Sequence, residues 1–325
     1  MEKKIVLEVR NLSTSFRQKK KVIPAVDGVS FHLAAGEMLG IVGESGCGKS
    51  VTSQSVMRLY DEREDVTYEG EVLLNGRDIL KLPFRKMQEI RGREIAMIFQ
   101  DALTSLNPVY TVEFQLVEAI RMHQKMDKKQ AKAQALALLQ KVGISDPEKR
   151  MKQYPHELSG GMRQRVMTAI ALSCKPDVLI ADEPTTALDV TIQAQIMEMI
   201  RSLKEEDQVG VILITHDMGV VAENCDRVAV MYLGQIVETA PVAELFAHPR
   251  HPYTQGLMKA IPQMDGDREE DLYAIEGTLP ELTAVQGKCR FADRCPYASD
   301  RCMQGMPQML EISDGHFVRC YAPLA

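Results

Sequence analysis

A glycine-rich loop near the start of the chain has the residue types that bind phosphate groups. It reads Gly43-Glu44-Ser45-Gly46-Cys47-Gly48-Lys49-Ser50, after the apolar stretch Met38–Val42 and before a helix predicted to begin near Lys49. Glycines let backbone N–H groups approach phosphate oxygens, and a helix start adds unpaired N–H groups and a positive dipole end. Lys49 should reach the terminal phosphates, the Ser50 hydroxyl should ligate Mg²⁺, and Thr52 belongs to the same predicted site. The loop therefore predicts nucleotide binding.

Two acidic residues follow a second apolar stretch and could complete this chemistry. Val178–Ala181 leads directly into Asp182 and Glu183. A carboxylate at the carboxyl end of a buried strand suits Mg²⁺, and we assign this role to Asp182. Glu183 is placed to polarise an attacking water molecule. A merely acidic strand end is the alternative, and the presence of a phosphate loop makes it less favoured.

A third candidate site begins at another predicted helix. Ser159, Gly160 and Gly161 lie at its start, within Leu158-Ser159-Gly160-Gly161-Met162-Arg163-Gln164-Arg165. A serine and two glycines at a helix N-terminus can bind an anion. A chain with one phosphate loop has little use for two such sites on the same phosphate group. We therefore expect this site to act on the nucleotide of a partner subunit.

The elements that must position these residues alternate along the chain. Near-continuous apolar runs at 38–42, 95–99, 178–181 and 211–214 are typical of parallel strands buried on both faces. Helical patterns lie between them, one capped by Asp127 and ended by Gly143, another over Thr191–Lys204. The pattern predicts a layered α/β core with a mostly helical insertion over about residues 101–165.

Taken together and in this order, the motifs over roughly residues 1–240 resemble those of ABC ATPases. The matching positions are Phe16, the phosphate loop, Gln100, the Ser159–Gly161 loop, Asp182-Glu183, Ala187-Leu188-Asp189 and His216. Met162 departs from the family, which most often has glutamine there, but leaves the serine and glycines intact. The resemblance implies an α/β fold with a RecA-like P-loop core, an antiparallel β subdomain, an inserted helical subdomain and a cysteine-rich C-terminal extension.

The same resemblance implies a role for each matching residue. Phe16 would stack on adenine, Gln100 would sense Mg²⁺ and the water, and His216 would contact the γ-phosphate. Two ATP molecules would be sandwiched in a head-to-tail dimer, each meeting Ser159–Gly161 of the other subunit in trans, with Asp189 crossing the interface. Phe16 could equally be a core aromatic residue, and His216 could be an ordinary strand-end histidine.

Narrower signals resemble the ATPase subunits of oligopeptide and dipeptide importers. They are Gln100–Pro108, His248–Thr254 and the cysteines of the tail. This branch implies two transmembrane permease subunits that dock on the helical insertion, a second related ATPase subunit and an extracytoplasmic substrate-binding protein. The chain would lie at the cytoplasmic face of the membrane as a peripheral protein. Nickel or another small solute as cargo, a non-transport ABC ATPase, and a non-catalytic regulatory partner are the alternatives.

The cysteines of the tail suggest a metal site. Cys289, Cys295, Cys302 and Cys320 lack the paired spacing of a zinc ribbon. Four thiolates can hold Zn²⁺ or an iron–sulfur cluster, and structural thiols are also possible. The family resemblance favours a [4Fe–4S] cluster. We therefore predict a nucleotide-binding domain over 1–260 and a cysteine-rich, metal-binding extension over 261–325.

Composition sets outer limits on function. Lys+Arg 39 against Asp+Glu 45 gives a formal net charge of −6, which argues against a dedicated nucleic-acid partner. No secretion signal is recognisable at Met1–Lys4, and no apolar run approaches the ~20 residues of a membrane helix. We expect a soluble intracellular chain that reaches a membrane only by docking on other subunits.

Overall fold

A computed structural model describes residues 3–18, 21–60, 65–101, 105–185, 190–261 and 273–324. Asp189 with Ala187 and Leu188, residues 102–104 and the acidic stretch 265–271 lie outside the described residues. The chain divides into two compact units. The first unit contains Met1–Leu7, His32–Met38 and Leu73–Ile214, and the second contains Glu8–Phe31, Leu39–Val72 and Thr215–Ala325.

The described elements alternate between strands and helices. The strands are β1 (Ile5–Gln18), β2 (Lys21–Ala34), β3 (Met38–Val42), β4 (Val66–Leu74), β5 (Arg77–Asp78), β6 (Ile95–Ile98), β7 (Val178–Asp182), β8 (Gly210–Thr215), β9 (Arg227–Tyr232), β10 (Gln235–Pro241), β11 (Leu310–Ser313) and β12 (His316–Val318). The α-helices are Lys49–Val56, Phe84–Ile90, Val112–His123, Lys128–Lys141, Pro147–Met151, Gly160–Leu172, Val190–Glu206, Met218–Asn224, Val242–Ala247, Pro252–Lys259 and Asp300–Gln304. Short 3₁₀ turns lie at Pro155–Glu157 and Ala292–Arg294.

Parallel strands form the centre of the first unit. β6 pairs with β7 and β7 pairs with β8, with Ile98 opposite Ala181 and Asp182 opposite Ile214. Every residue of these strands is buried, which is why the sequence reads as apolar runs without alternation. Because all three strands run the same way, their carboxyl ends lie at one edge of the sheet.

Helices occupy the region that the sequence predicts as an insertion. Val112–His123, Lys128–Lys141 and Gly160–Leu172 share one apolar core, which includes Leu116, Leu139 and Val166. Asp127 caps Lys128–Lys141 as expected, since its side chain accepts a hydrogen bond from the Gln130 N–H in a capping box. These helices share an apolar core of their own, and Gly160–Leu172 also contacts β6.

The second unit is built on mixed pairing. β3 and β9 are parallel, with Val42 opposite Val230. β9 and β10 form an antiparallel pair that turns at Leu233 and Gly234. β12 then pairs with β10, and β11 pairs with β12, both antiparallel. The strands Leu310–Ser313 and His316–Val318 thus belong to this sheet, and the predicted cysteine-rich C-terminal extension is not supported.

A four-stranded sheet has the order β2-β1-β4-β5. Its last two strands are antiparallel, with Leu73 opposite Asp78. Apolar and polar residues alternate in parts of β1 and β2, which is typical of strands. In the described ranges, no helix has the length and apolar character required to cross a membrane.

Candidate nucleotide-binding and catalytic residues

The phosphate loop follows β3, as the sequence predicts. Gly43 has a φ of +153°, and an added Cβ would lie 2.2 Å from the backbone oxygen of Met231. Gly48 has a φ of +105° and is the N-cap of Lys49–Val56 without a side chain that could cap the helix. Only glycine tolerates this backbone beside buried neighbours. The helix start therefore has no side-chain cap, as a phosphate-binding role would require.

Lys49 lies along the loop rather than in solvent. Its side chain is buried, and its ammonium group donates to the backbone oxygens of Gly43 at 2.8 Å and Glu44 at 3.1 Å. Backbone oxygens are replaceable acceptors, so a phosphate oxygen can take over these hydrogen bonds. Its contacts thus lie within the predicted loop, and the roles of Ser45, Gly46 and Ser50 stay predictions.

Two residues assigned to nucleotide contact face inward instead. The Thr52 hydroxyl donates to the Gly48 oxygen at 2.9 Å, and Thr52 is buried. Cys47 is fully buried, and burial raises the pKa of its thiol. The side chains of both residues therefore support the loop from behind, and Cys47 can meet a ligand only through its backbone.

Phe16 contacts another aromatic ring. Its ring lies edge-on to that of Tyr60 at 4.9 Å between centroids, and Phe16 is half-buried. Its strand is attached to the first helix by a hydrogen bond from the Thr14 hydroxyl to that of Ser55, at 2.8 Å. The Phe16 ring is half-exposed, and its stacking on adenine stays a prediction.

The candidate catalytic carboxylates lie at the carboxyl end of β7. Asp182 ends this strand and is 2% exposed, whereas Glu183 is half-buried. The Gln100 amide, which follows β6, donates to the Glu183 carboxylate at 2.8 Å. Glu183 has a φ of +46°, and its backbone N–H donates to the Ile214 oxygen at 2.9 Å. The first unit thus joins the predicted water-sensing glutamine to the predicted catalytic glutamate.

The Ser159–Gly161 loop forms an open helix start. The Ser159 hydroxyl accepts a hydrogen bond from the Met162 N–H at 3.3 Å and caps Gly160–Leu172. Ser159 and Gly160 are exposed, and a Cβ added at Gly160 would meet nothing within 4 Å. This helix start is therefore accessible to an anion from outside the chain.

Gln164 lies in the same helix, and the sequence motifs predict no role for it. It is buried, and its amide donates to the Pro184 oxygen at 2.8 Å. Pro184 immediately follows Glu183, so the Gln164 contact connects the Ser159–Gly161 helix to the turn that carries the glutamate. A glutamine on the buried face of a predicted helix was the available signal.

His216 follows β8 and is exposed. The next residue, Asp217, caps Met218–Asn224 by accepting from the N–H groups of Gly219 at 2.8 Å and Val220 at 3.2 Å. This cap fixes the turn in which His216 lies. Its contact with a γ-phosphate stays a prediction.

The metal site predicted in the tail is wrong. In the described residues, which include all four tail cysteines, no group of three or more His, Cys, Asp or Glu side chains could hold a metal ion. Cys289, Cys295, Cys302 and Cys320 are half-buried free cysteines. Burial raises the pKa of Cys289 to about 11 and also raises the pKa of Cys295 and of Cys320. The structure therefore supports neither an iron–sulfur cluster nor zinc.

Comparisons with known proteins agree with the motifs. Residues 26–186 match the family model described as "ABC transporter", and residues 237–302 match the model described as "Oligopeptide/dipeptide transporter, C-terminal region". Among solved structures, the chain is similar to a dimeric post-hydrolysis state of the ATP-binding cassette MJ0796 bound to ADP and Pi. The TM-score is 0.66 at 27% identity, and the match covers 73% of this chain and 98% of that one.

Relatives of known designation match along nearly the whole chain. A probable peptide ABC transporter ATP-binding protein of Sinorhizobium fredii is 52% identical, with 98% of this chain and 95% of that protein covered. The oligopeptide transport ATP-binding protein AppD of Bacillus subtilis is 51% identical, with 97% and 96% covered. The dipeptide transport ATP-binding protein DppD of the same organism is 50% identical, with 99% and 95% covered. This chain belongs to the family of ABC transporter ATP-binding proteins, in the branch that carries the oligopeptide/dipeptide transporter C-terminal region.

Proposed function

We propose that this chain is the ATP-hydrolysing subunit that powers peptide import through an ABC transporter. The observation that carries the proposal is the 2.8 Å hydrogen bond between Gln100 and Glu183, next to a buried aspartate at the end of β7. A structural acidic turn has no need for an amide that orients a half-buried carboxylate. Hydrolysis needs this arrangement, because the carboxylate must face a water molecule in a fixed direction.

Each predicted residue then has a role toward ATP. The backbone of 43–50 and the Lys49 ammonium group bind the phosphates, which replace the backbone oxygens that Lys49 now contacts. Glu183 polarises the attacking water, Gln100 orients that glutamate, and His216 stabilises the γ-phosphate. Phe16 offers a half-buried ring to the adenine base.

Magnesium fits the residues that the family resemblance assigns to it. Asp182 is 2% exposed and ends the buried parallel strand β7, a position that suits a Mg²⁺ ligand. Carboxylate, hydroxyl and amide oxygens are hard ligands of the type that Mg²⁺ prefers. Asp182, Ser50 and Gln100 are the residues that would hold it. When bound, the ion supplies positive charge that offsets the charge developing on the phosphate oxygens.

The Ser159–Gly161 loop acts on the ATP of a second ATPase subunit. Its exposed helix start supports this role, because an anion can approach it from outside the chain. Asp189 would support the same contact, although it lies outside the described residues. The similarity to a dimeric cassette supports pairing, and we favour a related, non-identical ATPase subunit as the partner.

Two permease subunits dock on the helical part of the first unit. A surface pocket of about 630 Å³ there is lined by Thr111, Glu113, Phe114, Val117, Glu118, Arg121, Met122 and Lys128. Met122 is 71% exposed, and Tyr110 stacks on Phe114 at 4.3 Å while both rings stay exposed. An apolar groove with a charged rim suits an amphipathic helix from a membrane subunit. This docking would hold the chain at the cytoplasmic face of the membrane.

Peptides are the favoured cargo because of the names of the relatives and the C-terminal region that they share. The cargo would be delivered by an extracytoplasmic binding protein and would not touch this chain. Nickel or another small solute, a non-transport role and a purely regulatory role have no comparable support.

The test of the proposed chemistry is Glu183→Gln. The amide keeps the size of the side chain but is a poor base, so turnover should fall by at least about 100-fold while ATP binding is retained. Phosphate release at saturating ATP and titration with a fluorescent ATP analogue measure the two properties. Glu206→Gln, an exposed glutamate of the same unit, is the matched control and should change neither. Unchanged phosphate release in the Glu183 variant would refute the assignment.

A further inference from the structure

The second residue of the phosphate loop is held by the C-terminal region at two points. The Glu44 backbone N–H donates to the Tyr253 hydroxyl at 2.9 Å. The Glu44 carboxylate accepts two hydrogen bonds from the Arg294 guanidinium, at 2.7 and 3.0 Å. The contacts span more than 200 positions in the sequence, and no local pattern announces them.

Arg294 has a buried side chain with several contacts besides the one with Glu44. Its side chain is 5% exposed, and it also donates to the backbone oxygen of Glu276 at 2.9 Å. Its guanidinium lies 5.9 Å from the ring centre of Tyr232, which packs against Tyr253 and Phe291. A planar guanidinium held on several sides can present a fixed fork to a carboxylate. The Glu44 side chain is 29% exposed, so it is the more accessible partner of this pair.

Arg290, which lies near Arg294 in the sequence, also supports the phosphate loop through the turn between β9 and β10. The Gly234 N–H donates to the Cys47 oxygen at 2.7 Å, so the turn between β9 and β10 supports the loop. Arg290 donates to the backbone oxygen of Leu233 in that turn and pairs with Asp27. Residues 290–294 therefore support the phosphate loop directly, through Glu44, and indirectly, through this turn.

A carboxylate in a phosphate-binding loop poses an electrostatic problem. The phosphates of ATP are strongly anionic, and an uncompensated glutamate in the loop would repel them. The bidentate arginine compensates that charge and fixes the direction of the carboxylate. Hydrogen bonds with Glu44 also raise the pKa of Arg294, so the guanidinium keeps its charge at any physiological pH.

We propose that Arg294 is a positioning residue for ATP binding, which compensates the Glu44 charge and holds the phosphate loop in a conformation that accepts the nucleotide. The inference rests on the phosphate role proposed above for residues 43–50. It gives the C-terminal region of this branch a part in nucleotide affinity. The contribution comes from a buried cation that never touches ATP.

The test compares Arg294→Met with the double variant that also carries Glu44→Gln, in the full-length chain. Titration with a fluorescent ATP analogue should give a Kd about tenfold higher for Arg294→Met, since Glu44 is then uncompensated. The KM for ATP should rise in parallel, with kcat changed less than about twofold. The double variant should return to within about threefold of the wild-type Kd, because the repelling charge is gone.

Control variants distinguish a failure of the positioning role of Arg294 from a failure of the phosphate-binding role of the loop. Lys288→Met breaks the pair with Asp293 on the same segment without a contact to the loop, and it should leave the Kd unchanged. Lys49→Ala should abolish binding, and full binding by that variant would refute the phosphate role itself. If Lys49→Ala fails to bind but Arg294→Met binds like the wild type, the positioning role alone is wrong. A double variant as weak as Arg294→Met would also overturn it, since the defect would then not come from the Glu44 charge.

Discussion

Replacing Gly43 by alanine should disrupt the phosphate loop for reasons that can be measured separately. An added Cβ would lie 2.2 Å from the Met231 oxygen and 2.8 Å from the Cys47 sulfur. Both neighbours are fully buried and cannot move into solvent. Since such atoms do not approach within 3.0 Å, the loop must move by roughly 1 Å. The φ of +153° is a second obstacle, because this region is open almost only to glycine.

The two effects set the expected magnitude. Backbone strain contributes about 1–3 kcal/mol and overpacking a similar amount, so Gly43→Ala should lower the free energy of unfolding by about 2–6 kcal/mol. A shift of roughly 1 Å in a loop that positions phosphates should weaken ATP binding by up to about 100-fold. Gly28→Ala isolates the backbone effect, because Gly28 has a φ of +61° and open space around its Cβ position. That control should lose only about 1–2 kcal/mol.

The chain has no tryptophan, so urea unfolding followed by far-UV circular dichroism is the suitable stability assay. ATP binding would be measured with a fluorescent ATP analogue in buffer without urea, in which each variant is folded. The reasoning fails if Gly43→Ala is no less stable than Gly28→Ala. It also fails if Gly43→Ala binds ATP as tightly as the wild type, because the loop would then have absorbed the side chain without moving.

Two further predictions concern buried polar residues. Gln164→Leu should lower the free energy of unfolding by about 1–3 kcal/mol, because the Pro184 oxygen loses its donor, and an unchanged urea midpoint would contradict this. Burial lowers the pKa of His251 from 6.5 to about 3, so the native state requires neutral histidine. Its contribution to stability is therefore complete above about pH 6.5 and is lost as the pH falls toward 3, by at most about 1.4 kcal/mol per pH unit. His251→Asn, which keeps an acceptor for the Tyr253 N–H, should make the stability less dependent on pH over this range, and equal slopes in both proteins would refute the role.

The sequence was most informative where function imposes a local pattern. The phosphate loop and the runs of β3, β7 and β8 were predicted because buried parallel strands and glycine turns leave short, contiguous signals. The Asp127 cap was predicted for the same reason, since a capping box spans only a few positions. Each of these features is determined by neighbours in the chain.

Prediction failed where the determining neighbours are distant. Nothing near Glu44 indicates Arg294, because the pair joins positions 250 residues apart. The tail shows the same limit, since the Cys289–Cys320 spacing suggested a metal site while β12 pairs with β10. Cysteine spacing alone cannot distinguish thiols arranged to hold a metal from half-buried free thiols such as these. The tertiary arrangement of the thiols decides between these two possibilities, and cysteine spacing in a single sequence does not reveal that arrangement.

Glu183 combines a backbone conformation that is unfavourable for glutamate with a hydrogen bond to its carboxylate. Among described residues other than glycine, those with positive φ include Arg58, Lys175, Gln208 and Leu233 as well as Asn11, Asn75 and Asp146, whose types tolerate the left-handed region. Glutamate has no such tolerance, and its backbone costs about 1 kcal/mol there. Its N–H donates to the Ile214 oxygen, and its carboxylate accepts from the Gln100 amide. Because other long side chains share this conformation, positive φ alone does not indicate function, and the hydrogen bond from Gln100 to its carboxylate is what distinguishes Glu183.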